Sequence, residues 1–157
     1  MIGLHDKARQ YALKLLGYRG RSRKELEERL TKKGFSETVV SSTINYLRDV
    51  GLIDDRALAE ALKREAITTK LFSQYGARKF MLTRGIPREI VDSMFIPDEK
   101  EDIENAKRLV DKKLRIMKNY PAEKIKRRLY NLLLRKGYSF ETIEAVLKGK
   151  KFKEDLR

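Results

Sequence analysis

Apolar residues recur along the whole chain at intervals of three and four, the spacing that gathers them on one face of an α-helix. Ala8, Tyr11, Ala12, Leu15 and Leu16 form the first such stripe, which Gly17 and Gly20 end. Ser22 and Glu25 have the spacing of a capping box and open a second helix, with Leu26 and Leu30, that stops at Gly34. Ser36 caps a third, bearing Val40, Ile44 and Leu47, which ends before Gly51. The same order then returns. Asp54 or Asp55 opens a helix with Leu58, Ala61 and Leu62, and a shorter one runs from about Gln74 to Arg84 and closes at Gly85. Pro87 suits the first turn of the next, whose apolar face is Ile90, Val91, Met94 and Phe95. After Pro97, the acidic run Asp98-Glu-Lys-Glu101 matches the positive end of a helix dipole, and Ile103, Ala106, Val110, Leu114 and Met117 make a long stripe. Pro121 starts a helix with Ile125, Leu129, Leu132 and Leu133 that closes at Gly137. Ser139 caps the last helix, with Ile143, Val146 and Leu147. The prediction is nine helices in three sets of three, with no strand. The charged tail from Lys148 to Arg157 is expected to fray.

The three sets are in register. Gly34, Gly85 and Gly137 are separated by 51 and 52 residues. Four positions before them stand Leu30, Met81 and Leu133; eight before, Leu26, Ala77 and Leu129. Their followers Phe35, Ile86 and Tyr138 also align, as do Val40, Val91 and Ile143, and Ile44, Phe95 and Leu147. A period of this size marks a supersecondary unit used three times, which presents an extended surface rather than one deep pocket. The expected division is 1–51, 52–96 and 97–149, followed by a charged tail over 150–157. The fold expected is all-α, three tandem three-helix repeats forming an elongated, curved array.

Charge sharpens this picture. The 157 residues carry a net charge of +14, far more than solubility requires. Residues 1–51 hold 11 basic and 6 acidic side chains, residues 52–96 hold 8 and 6, and residues 97–157 hold 18 and 11. A solvated helix face is the ordinary reading of any one Lys-rich stretch, but the overall excess points to a polyanion or an acidic protein surface. Chemistry is sparse by comparison. Cysteine is absent and His5 is the single histidine, which removes thiolate sites and most histidine-based catalysis or metal binding. No phosphate-binding glycine loop or zinc-protease motif occurs, and the pair Asp54–Asp55 reads as helix capping rather than as catalytic carboxylates. No cofactor, no metal and no enzymatic activity are expected. With no long apolar run and no signal-like start in MIGLHDKARQ, cytoplasmic residence is the expectation, as a monomer.

Several stretches carry a more specific likeness. Ala12-Leu13-Lys-Leu-Leu16, Tyr18-Arg19-Gly-Arg21-Ser22-Arg-Lys-Glu25-Leu26 and Leu30-Thr-Lys-Lys33-Gly34-Phe35 resemble the opening repeat of the RecX family. Tyr46-Leu47-Arg-Asp-Val-Gly51-Leu-Ile53-Asp54-Asp55-Arg56-Ala-Leu-Ala59 looks like that family's most diagnostic segment, and Gln74-Tyr75-Gly76-Ala77-Arg78-Lys79 through Arg84-Gly85-Ile86 is similar to its second repeat. Met81 departs from the leucine more common four residues before the middle glycine. The resemblance spans essentially the whole chain. It implies a regulator that binds the filament of RecA recombinase on single-stranded DNA, lies along its groove and inhibits ATP hydrolysis and strand exchange. Such a protein would modulate DNA repair, homologous recombination and the SOS response.

The candidate contact residues are basic side chains beside the repeat glycines and in the middle helices. They are Arg19, Arg21, Lys24, Lys32 and Lys33 in the first set; Arg78, Lys79, Arg84 and Arg88 in the second; and Lys124, Arg127, Arg128, Arg135 and Lys136 in the third. Lys124, Arg127 and Arg128 place three positive charges on about one turn. A stand-alone DNA- or RNA-binding protein is the alternative, since Lys33-Gly34-Phe35-Ser36 would also suit a helix-turn-helix. Against base-specific reading, the third helices carry few Arg, Asn or Gln side chains.

Overall fold

The computed structural model describes residues 3–150. Of the charged tail, residues 151–157 lie outside the described residues. Among those described there are nine α-helices and no strand. They are α1 (Leu4–Tyr18), α2 (Arg23–Lys33), α3 (Glu37–Asp49), α4 (Asp55–Arg64), α5 (Gln74–Thr83), α6 (Arg88–Ser93), α7 (Glu99–Leu114), α8 (Ala122–Arg135) and α9 (Phe140–Lys148). One π-helical turn, Glu65–Thr69, continues α4.

The registered positions form the cores. Leu30, Met81 and Leu133 are fully buried, as are Leu26, Ala77 and Leu129, and Gly34, Gly85 and Gly137 all take the left-handed conformation with φ between 84° and 108°. At those three helix ends the glycine costs least, because a side chain would strain the backbone. Phe35 and Leu147 are partly buried, each against the core of its own set. The capping reading holds in detail. Ser22 accepts from the Glu25 amide while Glu25 accepts from that of Ser22, and Ser36, Asp98 and Ser139 each accept hydrogen bonds from their own first turns. Of the two candidates for α4, Asp54 is the cap, accepting from the Ala57 amide at 3.1 Å.

Four features differ from the sequence expectation. Helix α1 runs through Gly17, which is exposed, and ends after Tyr18. Helix α6 ends at Ser93, so buried Phe95 reaches the core from beyond it. Helix α7 stops at Leu114, leaving Met117 to pack on the core from the following turn. The π turn had no sequence warning. After it, Leu71 sits at φ 55°, strained for a residue with a branched side chain. The irregular stretch is held by side chains: Asn105 Nδ2 donates to the Ile67 and Phe72 carbonyls at 2.9 and 3.1 Å, and the Tyr138 hydroxyl donates to that of Leu71 at 2.7 Å. Burial pushes the Tyr138 phenol pKa up, which keeps it a donor.

The chain packs as two compact units, and both draw on the middle set. The first comprises residues 3–62 with Met81–Met94; the second comprises Lys63–Phe80 with residues 95–150. In the first, α1, α2 and α3 pack against one another around Leu26, Leu30, Ile44 and Leu47. In the second, α7, α8 and α9 do so around Val110, Leu129, Leu133 and Ile143.

Each unit contains the same pair of backbone devices. The Asp55 carboxylate accepts from the Arg23 amide, and that of Asp102 from the Gln74 amide, both at 2.9 Å. Each thereby satisfies a free N–H at the start of a helix distant in sequence. The Asp55→Ala and Asp102→Ala variants are each expected to lose about 1 kcal/mol of stability in urea unfolding. Burial, the leading cause, holds both carboxyls above their ordinary pKa. The folded state therefore retains protons that the unfolded chain has released, and each carboxyl's contribution falls as pH rises between the two pKa values. The corresponding Asn variants keep the acceptor and should flatten that pH dependence.

Candidate functional site

The second device is a corner between a serine cap and a glycine turn. In the first unit, Ser22 lies against Gly85, where a Cβ atom would fall 2.4 Å from the serine Oγ. In the second, Ser73 lies against Gly137, where that distance would be 2.7 Å. Ser22 and Ser73 occupy the same register, 12 residues before Gly34 and Gly85 respectively. The cations expected at the glycines are thus brought beside the start of another helix.

The two corners differ in charge. In the first, Glu25 binds both neighbouring arginines: Arg19 Nη2 lies 3.1 Å and Arg84 Nε 3.2 Å from the same carboxylate oxygen. Arg84 also donates to the Gly20 carbonyl at 3.0 Å. Arg84 and Glu25 are largely buried, so this pair is less screened than a surface one. Arg21 stands beside them, its Nε buried without a hydrogen-bond partner among the described residues. Burial lowers its pKa, aided by Arg19, Arg29 and Arg84 and opposed by Glu25.

In the second corner the register position of Glu25 is taken by Gly76. The Lys136 carbonyl approaches so closely that a Cβ on Gly76 would meet it at 2.2 Å. That carbonyl accepts from the Ser73 amide at 3.0 Å. The Lys136 ammonium stands 4.7 Å from the centroid of the Phe72 ring, and that of Lys70 stands 5.5 Å from that of Phe80. The two rings are themselves neighbours, 5.7 Å apart. Burial lowers the Lys136 pKa, followed by repulsion from Lys70, Lys113, Lys112 and Arg135. A cleft beside it is lined by Lys113, Met117, Arg128, Asn131, Leu132 and Arg135.

The remaining candidates lie outside the corners or at their edge. Lys124 and Arg128 each place their charge 4.8 Å from the Tyr120 ring centroid, while exposed Arg127 borders a shallow groove with Lys126, Tyr130 and Glu144. Lys24 flanks Gly85, Lys33 stands 5.3 Å from the Tyr11 ring centroid, and Lys32, Lys79 and Arg88 are exposed. Arg78 is half-buried, 5.8 Å from the Phe95 ring centroid. The structure therefore gathers Arg19, Arg21 and Arg84 in one corner and Arg135 and Lys136 in the other. Sequence reasoning missed Lys70, Lys112 and Lys113. A register argument finds the first of them, since Lys70 and Arg19 both lie 15 residues before a repeat glycine. Among the described residues, no group of three His, Cys, Asp or Glu side chains is placed to hold a metal ion, and no helix is long and apolar enough to cross a membrane.

Comparison with known proteins gives a consistent result. The family model described as RecX, first three-helix domain, matches residues 8–47, and that of the RecX third three-helix domain matches residues 99–147. The chain is 36% identical over 142 residues to the regulatory protein RecX of Mycobacterium sp. strain KMS, covering 85% of this chain and 76% of that one. It is 30% identical to the regulatory protein RecX of Chlorobaculum tepidum, covering 93% of this chain and 89% of that one. Among solved structures, RecX from Lactobacillus salivarius superposes with a TM-score of 0.68 at 26% identity, covering 92% of this chain and 94% of that one. Helical repeats with the register described above, matched at both ends by the family's own domains, identify this chain as a member of the RecX family of regulatory proteins.

Proposed function

We propose that this chain binds filaments of the RecA recombinase on single-stranded DNA and inhibits their ATP hydrolysis and strand exchange, so modulating DNA repair and recombination. It acts in the cytoplasm as a monomer, without catalysis of its own, through the three repeats 1–51, 52–96 and 97–149. Membership of the RecX family supports the choice of target. The observation that carries the reading within this chain is the set of basic side chains from α7, α8 and the segment before α5 around Lys136. Many modest contacts over such a surface sum to useful affinity without a deep pocket.

The test is RecA's single-stranded-DNA-dependent ATP hydrolysis, titrated with this protein at two salt concentrations. Inhibition at or below stoichiometric amounts is expected. Inhibition only at amounts that coat the DNA, abolished by moderate salt, would instead favour a stand-alone nucleic-acid binder. Replacing Lys124, Arg127 and Arg128 together by Gln should weaken filament binding about fivefold and lower its salt sensitivity. Unchanged binding by the folded triple variant would remove these residues from the interface.

A further inference from the structure

Aligning the two corners position by position shows where an anion is wanted. Arg19 corresponds to Lys70, Arg21 to Phe72, Glu25 to Gly76, and Arg84 to Lys136. The first corner contains its own counter-charge, since one Glu25 carboxylate holds two arginines. The second has none at the matching position, because the Lys136 carbonyl leaves no room for a side chain at position 76, and its nearest carboxylate, Asp102, is bound to the Gln74 amide rather than to a cation. Asp111, on the same helix as Lys112 and Lys113, is bound to Lys150. Among the described residues, none of Lys70, Lys112, Lys113, Arg135 and Lys136 forms an ion pair. The Phe72–Phe80 platform meanwhile holds two of the ammonium groups in place.

We propose that the corner formed by Lys70, Lys113 and Lys136 beside the Phe72–Phe80 pair binds the phosphodiester backbone of single-stranded nucleic acid, and that the Glu25 corner does not. Successive phosphates supply the counter-charge that Glu25 provides in the first unit. Lys112 and Arg135 extend the site along the ends of α7 and α8. This deepens the proposed role at a nucleic-acid filament and rests on it for the biological context. The binding step itself requires no RecA.

The experiment is fluorescence anisotropy of a labelled oligo(dT) with the full chain, across a salt series. The Lys70→Gln/Lys113→Gln/Lys136→Gln variant should lose about tenfold in affinity, and its salt slope should fall by about 2. A charge-matched variant, Lys7→Gln/Lys14→Gln/Lys100→Gln, should lose less than about threefold. Amine labelling of the wild-type protein gives a readout that needs no variant. Bound oligo(dT) should protect Lys70, Lys113 and Lys136 more than Lys7 and Lys14. Equal losses in the two variants, or uniform protection, would overturn the site. ATP displacing oligo(dT) as well as unlabelled oligo(dT) does, at equal phosphate concentration, would overturn the backbone assignment in favour of a free nucleotide. Retained oligo(dT) affinity with lost inhibition of the RecA filament would also overturn it, in favour of an acidic protein surface. If the wild-type protein fails to inhibit RecA while the corner variant still loses oligo(dT), the filament reading fails and the site stands.

Discussion

Gly76→Ala is expected to destabilise the protein by about 3 kcal/mol. The added carbon would lie 2.2 Å from the Lys136 carbonyl oxygen and 3.1 Å from its carbon. Both are backbone atoms at the end of α8, where Gly137 already takes a positive φ and Tyr138 is buried. Relief therefore requires the turn to move away from α5, which breaks the bond from the Ser73 amide to Lys136. Gly17→Ala provides the contrast. Gly17 lies in the last turn of α1 with no neighbouring group inside 4 Å of where a Cβ would stand, so the methyl should stabilise by about 0.5 kcal/mol through helix propensity. Urea unfolding followed by circular dichroism separates the two. An unchanged midpoint for Gly76→Ala would mean that the close approach is not maintained in solution.

Glu25→Gln should change stability and binding in opposite directions. The amide keeps the shape of the side chain but not the charge that holds Arg19 and Arg84, and a loss of about 2 kcal/mol is expected for these charge-assisted bonds. At the same time Arg19, Arg21 and Arg84 lose their counter-charge, and the first corner acquires the imbalance of the second. Affinity for oligo(dT) should rise about threefold, with a steeper salt dependence. Anisotropy and urea unfolding on the same variant check both halves. A stable variant with unchanged affinity would show that Glu25 does not keep this corner closed to phosphates.

The helices and their ends were readable because their causes are local. Ser22 with Glu25, Ser36 and Ser139 act on amides within one turn, and the repeat glycines terminate helices by their own backbone freedom. Features that depend on a partner far along the chain were not readable. Nothing near Asp55 or Asp102 reveals that each would cap Arg23 or Gln74, and nothing near Gly76 reveals the approach of residue 136. The π turn and the segment after it likewise have distant partners, since Asn105 bonds the Ile67 and Phe72 carbonyls and Tyr138 that of Leu71. For the candidate site, composition supplied the sign of the charge but not its pairing. Arg84 and Lys136 look equivalent as basic residues before a repeat glycine, and only the structure separates a cation bound to Glu25 from one left beside four others.

The first unit is discontinuous in sequence, taking residues 3–62 together with Met81–Met94. During synthesis, residues 1–62 emerge from the ribosome before Arg84 and Gly85 are free to meet Glu25 and Ser22. The nascent chain therefore carries Arg19 and Glu25 without their third member, and Ser22 without its glycine, until α6 has emerged. A release product ending near residue 62 would contain every helix of the first triplet and still lack the corner. This makes the length of chain already emerged, rather than the helices alone, the condition for completing the first unit.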